Sequence, residues 1–161
     1  MAVTDTVPFT KEGFEIIRDE LANLKTVERP KVIDDIATAR AHGDLKENAE
    51  YHAAKEKQGF IEARILRLDD EVSRALVIDY TDTKPPSNVG FGCWVTVEDE
   101  EDGKSKTYRI VGELEADLEN GKISTSSPIA KALMGKALND LVEVKAPKGT
   151  IEYVITEIRY S

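Results

Sequence analysis

The sequence predicts an α+β chain: a long antiparallel helical hairpin, then a small antiparallel β domain with one short helix. Three observations carry that expectation. Apolar residues recur at three- and four-residue spacing from Phe14 to Ile36 and again from Ile61 to Ala75. Between these runs stands His42-Gly43-Asp44, a glycine-marked reversal. Beyond Thr81-Asp82-Thr83-Lys84-Pro85-Pro86-Ser87-Asn88 the apolar period shifts toward two.

The first helical run extends from Phe9 to about Ala41, with Thr10 as its N-cap. Its apolar positions are Phe14, Ile17, Leu21, Leu24, Val32, Ile33 and Ile36. Pro30 lies inside it and removes a backbone donor, which predicts a kink or a hydrogen-bond defect. The second run extends from about Leu45 to Ala75, with Ile61, Ile65, Leu68, Val72 and Ala75 as its seam. Folding the chain back about residue 45 sets Leu24 near Leu66, and Ile17 near Val72 and Ser73. The two stripes then face each other as in an antiparallel coiled coil. Arms of about 30 residues at ~1.5 Å each span roughly 45 Å, the length of a probe or spacer. Toward the reversal the seam turns to Ala37, Ala39, Ala41, Ala49, Ala53 and Ala54. Small residues let helices approach closely, so a slender tip suited to a pore is expected; alanine is equally a plain helix former.

The polar, proline-bearing stretch 81–88 marks a boundary, giving residues 1–80 as the hairpin, 81–88 as linker and 89–161 as the second domain. In that domain Cys93–Val97, Lys106–Val111, Leu141–Val144 and Ile151–Ile155 read as strands. Asp102-Gly103, Asn120-Gly121 and Lys148-Gly149 are turn signals. Ser127-Pro128 before Ile129–Met134 predicts one short helix, capped by Ser127 with Pro128 in its first position. Trp94 and Phe91 are assigned to the core.

Charge and composition exclude several classes of function. The chain carries a net charge of −9, with acids in excess in both halves. That balance opposes holding duplex DNA through its phosphates, so strong independent DNA binding is not expected. Cys93 is the only cysteine, which fits a reducing compartment. One Cys with His42 and His52 cannot build a zinc site unaided. Residues 1–8 lack the regions of a signal peptide, and no apolar run approaches ~20 residues, so a soluble cytoplasmic protein without membrane partners is expected.

The reversal carries Asp44 and Glu47, and their spacing supports two readings. Asp44 could cap the following helix while Glu47 completes an Asp-x-x-Glu capping box, with Gly43 ending the preceding helix. Alternatively, two hard oxygen donors suit Mg²⁺, but alone they leave most of its octahedral shell to other ligands. A hairpin tip would then hold half of a metal site, completed by a partner enzyme. The readings are compatible, since one oxygen can cap while another faces outward.

Longer motifs decide more than spacing does. Glu28-Arg29-Pro30, the stretch Ala39–Ala54 containing Ala-Arg-x-His-Gly-Asp-Leu-Lys-Glu-Asn-Ala-Glu-Tyr-His-Ala-Ala, and Gln58-Gly59-Phe60 closely resemble the Gre family of bacterial transcript cleavage factors. The resemblance continues through Val77-Ile78-Asp79, Tyr108–Gly112, Glu115-Ala116-Asp117 and Ser127–Lys136. It implies an N-terminal coiled coil and a C-terminal domain similar in fold to FKBP-type proteins. It also implies a partner, bacterial RNA polymerase, whose secondary channel the coiled coil enters. There the acidic tip would help the polymerase's own Mg²⁺-dependent centre cleave backtracked nascent RNA near its 3′ end. The chain would be a cofactor of that reaction and not an enzyme, with no cofactor of its own.

Carried onto matching positions, the resemblance makes Asp44 and Glu47 the tip carboxylates that contribute to catalysis and share Mg²⁺ with the polymerase. Arg40 and Lys55 match a basic patch near the displaced RNA; many members carry Arg at the position of Lys55, and Lys lacks the planar fork. A solvated helix face explains both equally. His42, Gly43, Asn48 and Tyr51 would support the tip, with packing against the turn the simpler role for His42 and Tyr51. Asp117, Ser127 and Pro128 match a segment that docks on the channel rim, although Ser-Pro is also an ordinary helix start. Two alternatives remain: a non-cleaving channel binder that modulates or inhibits synthesis, and a prolyl isomerase or chaperone suggested by the FKBP-like domain. The intact Asp-x-x-Glu tip opposes the first, and the few aromatics in 89–161 oppose the second. A monomer is expected, because a bare coiled coil of this pattern offers little apolar surface.

Overall fold

The computed structural model describes residues 5–43 and 48–160. In chain order the elements are strand β1 (Val7–Thr10), helix α1 (Lys11–Asn23), a π-helical turn (Leu24–Glu28), and helices α2 (Arg29–Arg40) and α3 (Ala49–Ser73). Strands β2 (Ala75–Ile78), β3 (Trp94–Asp99), β4 (Ser105–Val111) and β5 (Lys122–Ser124) follow. Helix α4 (Pro128–Leu133) and strands β6 (Leu141–Ala146) and β7 (Gly149–Arg159) complete the chain. It packs as two units: one joins the chain up to Phe14 with that from Leu76 onward, and the other is Glu15–Ala75. This division differs from the 1–80 and 89–161 partition that composition suggests, because β1 and the first turn of α1 group with the sheet.

In the unit Glu15–Ala75, Ile17, Leu21, Val32, Ile36 and Ala39 are buried on one arm, and Ala54, Ile61, Ile65 and Leu68 on the other. Those spacings of three, four and seven residues, with one of eleven across the π-helical turn, are what an interhelical seam requires. Two expected seam contacts are wrong: Leu66 is 72% exposed and Ile33 51%, so neither lies between the arms. Charges bridge the arms beside the seam. Lys25 Nζ lies 2.8 Å from Asp69, Arg64 grips Glu20 through two bonds of 2.7 and 3.0 Å, and Arg29 grips Glu62 through two of 2.9 and 2.8 Å. The bond from Arg29 holds the Glu62 carboxyl below its usual range.

The defect expected at Pro30 is present one turn ahead of it. Proline has no N–H to offer the carbonyl of Thr26, and its ring would crowd that carbonyl in a regular helix. The backbone widens instead: the amide of Arg29 donates to Leu24 O, five residues back, and Pro30 enters α2 in its first turn. A π-turn thus absorbs the missing donor without ending the arm.

The sheet unit has strand order β5-β4-β3-β7-β6. The β3–β4 and β6–β7 pairs are antiparallel neighbours in sequence, and β3–β7 is antiparallel with a register shift between Thr96 and Val97. One pair corrects the all-antiparallel expectation: β4 and β5 are parallel, with Ile110 opposite Ile123. A three-residue strand after a turn gives too little alternation to be read from sequence. Val95, Val97, Ile110, Ile123, Ala130, Leu133, Val142, Tyr153 and Ile155 form the core, with α4 contributing Ala130 and Leu133. Trp94 and Phe91, assigned to the core from sequence, are only half-buried; the Arg109 and Arg159 guanidiniums lie 5.7 and 5.4 Å from the Trp94 ring centroid. A further two-stranded sheet pairs β1 with β2, where continuous helix was expected from Phe9 and up to Ala75.

Candidate functional site

Asp44 and Glu47, with the capping and cation-binding roles expected of them, lie outside the described residues. The structure describes the chain on both sides of them. Helix α2 ends with its amide bonds tightened: Ala41 N donates to Thr38 O at 3.2 Å and His42 N to Ala39 O at 3.1 Å. Gly43 follows at φ +132°, a conformation open to glycine and costly for other residues. A Cβ there would meet nothing within 4 Å, so backbone conformation and not crowding selects the glycine.

On the other side, Asn48 performs two tasks. Its Oδ1 accepts from the Tyr51 amide at 3.0 Å and caps α3. Its Nδ2 donates to Ala39 O, the carbonyl in the last turn of α2 that also accepts from the His42 amide. One side chain therefore starts the second arm and fastens it to the end of the first. The cap of α3 is Asn48, four residues beyond the Asp44 that the sequence spacing favours.

The flanking residues gather around Tyr51. The Arg40 guanidinium lies 5.7 Å from its ring centroid, within cation–π range. The His52 ring meets it edge-on at 5.5 Å. Lys55 is one turn further along α3, on the face that carries Tyr51, and its Nζ lies 3.2 Å from Gln58 Oε1. His42 is exposed at the turn. Below the tip, Thr38, Ala39, Ala53 and Ala54 line a shallow groove edged by Asp35, Glu50 and Lys57. Among the described residues no three His, Cys, Asp or Glu side chains are grouped to hold a metal ion.

A second expected surface lies in the sheet unit, and β5 organises it. Asp117 bridges to Lys122 at the strand's start, with N···O distances of 2.8 and 2.9 Å, and its Oδ2 accepts from Asn120 at 2.6 Å. At the strand's other end, Ser127 Oγ donates to Ser124 O at 2.7 Å and accepts from the Ala130 amide at 3.3 Å, capping α4 with Pro128 next in line. Asp117 and Ser127 thus flank one short edge strand. Leu118, missed from sequence, stands 79% exposed beside Asp117; a lone leucine in an acidic turn carries no periodic signal.

Comparison with known proteins bears on both units. Residues 7–77 match the family described as "Transcription elongation factor, N-terminal", and residues 84–160 match "Transcription elongation factor, GreA/GreB, C-term". The chain belongs to the GreA/GreB family. Among its relatives named Transcription elongation factor GreA, that of Alkalilimnicola ehrlichii is 55% identical over 155 residues, covering 96% of this chain and 98% of its own. Those of Pelobacter propionicus and Trichlorobacter lovleyi are 53% and 54% identical over 158 residues, each covering 98% of this chain and 99% of its own. Both halves of a GreA/GreB factor are therefore present in one chain. No described helix is long and apolar enough to cross a membrane.

Proposed function

We propose that this transcription elongation factor binds bacterial RNA polymerase in the cytoplasm, inserts its hairpin tip into the secondary channel, and stimulates cleavage of backtracked RNA. One observation supports the tip's role above the rest. Asn48 already caps α3 and ties it to α2, so the acids at 44 and 47 are not needed for the cap that would otherwise explain them. Carboxylates without that structural task, at the end of a slender hairpin, are suited to delivery into another protein's active centre.

Asp44 and Glu47 supply two hard oxygen donors, too few to complete an octahedral shell, so the site is shared with the polymerase. Asp44 and Glu47 would hold a divalent ion together with ligands of the polymerase, and that ion would supply Lewis-acid activation of water and phosphate oxygens. Arg40 and Lys55, with Tyr51 between them, offer cationic and stacking contacts to the displaced RNA 3′ segment. Asn48 holds the two arms at the spacing that presents the acids. Asp117, Ser127, Pro128 and the exposed Leu118 form the surface proposed for the channel rim. The hydrolytic centre belongs to the polymerase, and this chain acts as a single copy.

Adding the chain to a polymerase complex backtracked by a few nucleotides tests this reading. Faster release of a short 3′ RNA fragment, followed by resumed synthesis, is the expected result. Slower synthesis without cleavage would replace it with the channel-blocking alternative, and no effect on either would remove polymerase as the partner.

A further inference from the structure

Glu115 is 7% exposed, and Thr10, which it binds from 105 residues away in sequence, is 1% exposed. The two carboxylate oxygens divide their work. Oε1 accepts from the Thr10 amide at 2.7 Å, and Oε2 accepts from the Thr10 hydroxyl, also at 2.7 Å. The same hydroxyl accepts from the Gly13 amide at 3.1 Å, which caps α1. Glu115 therefore grips the residue that starts the helix, where the helix dipole favours a negative charge.

The surrounding chain is cut to admit this carboxylate. A Cβ at Gly13 would collide with Glu115 Cδ, so only glycine leaves room in the first turn. A Cβ at Gly112 would stand 3.4 Å from Pro8 O, so β1 also runs close to the end of β4. Arg109, 7% exposed, donates from Nε to Gly92 O at 3.0 Å and reaches toward Glu12 at 3.7 Å. Burial raises the Glu115 carboxyl, while the Thr10 bonds and the charges of Arg109 and Lys122 oppose that rise.

We propose that Glu115 is a positioning residue for transcript cleavage: by clasping Thr10 it fixes the first turn of the helix that continues as the hairpin's first arm, and so limits where the tip carboxylates arrive. This rests on the function proposed above. Misplacing reacting groups by about 1 Å can cost on the order of a hundredfold in rate, so a clasp on the first turn of α1 bears on chemistry carried by the arm that α1 begins. Glu115 touches neither RNA nor metal in this scheme.

The test uses the full chain and the substitutions Glu115→Gln, Thr10→Val and Thr10→Ser. Spin labels at Glu56→Cys on the arm and Lys148→Cys on the sheet unit report a distance distribution without polymerase; Cys93, buried, stays unlabelled. Glu115→Gln and Thr10→Val should broaden that distribution. Both should also lower the maximal cleavage rate at saturating factor on the order of tenfold, with a smaller change in the half-saturating concentration. Thr10→Ser keeps both donors and should behave as wild type. An unchanged distribution in Glu115→Gln and Thr10→Val overturns the clasp, and a rate loss without broadening overturns positioning as its cause. If wild type fails to stimulate cleavage, the proposed function falls with its catalytic consequence, while the distance widths still decide whether Glu115 holds the joint.

Discussion

At the residue scale, Asn48 carries more of the tip's structure than its place in the sequence suggests. A helix cap of this kind contributes about 1 kcal/mol, and here the same side chain also donates to Ala39 O. Asn48→Ala should therefore lower stability in urea by at least that amount, whereas Asn48→Asp, keeping the capping oxygen and losing the donor, should fall between. Equal stability of all three would show that the cap is idle. Tyr80 supplies a pH dependence. Its phenol donates to Phe91 O at 3.0 Å and stacks on Tyr160, and burial pushes its pKa from 10.0 up to about 12. The folded state thus holds the proton more tightly than the unfolded chain, so its contribution is full below about pH 10 and is lost as pH rises toward 12. Comparing urea unfolding at pH 9 and pH 11, wild type should lose more stability than Tyr80→Phe; equal losses would contradict the assignment. Glu115 shows where reading from sequence stops. A glutamate is by default a solvated residue, and its partner Thr10 is 105 residues distant, so no local pattern reveals that it is buried.

At the scale of elements, helices were legible where the seam was long and strands where alternation was clean. Spacing places Ile61, Ile65 and Leu68 on the interhelical face, and all three are buried. It fails for Leu66, because that pairing rests on counting back from the turn, whereas Leu66 follows the buried Ile65 by one residue and so lies ~100° round α3 from the seam. Strands β1 and β2 escape for another reason: four residues each, one with Pro8 inside, give neither length nor alternation to a period count. The seam makes a direct prediction. Leu68→Ala should cost about 2–5 kcal/mol, while Leu66→Ala, on the exposed face, should stay within about 0.5 kcal/mol; similar losses at both would mean that the arms meet in another register. The bridge from Arg64 to Glu20 is half-exposed, and a double-mutant cycle should return no more than about 1 kcal/mol, shrinking with added salt. A coupling unaffected by salt would argue for packing of the Arg64 stem as its source.

At the scale of the whole molecule, a chain of net charge −9 carries Asp44 and Glu47 in the stretch of sequence between α2 and α3, with Arg40 before them and Lys55 after. In the proposed function the hairpin supplies reach, Asn48 the join between its arms, and the residues around β5 a second surface. The proposed function holds that, with Asn48 capping α3, Asp44 and Glu47 act on the metal site of the polymerase. It is tested most directly by RNA cleavage in a defined backtracked polymerase complex, comparing wild type with Asp44→Asn plus Glu47→Gln at saturating concentration. Amides retain size and hydrogen bonding but lack the charge that Mg²⁺ requires. The double variant should compete with wild type for polymerase at similar concentration and yet give no stimulation of cleavage. Stimulation equal to wild type would contradict the claim and return Asp44 and Glu47 to the role of ordinary turn residues.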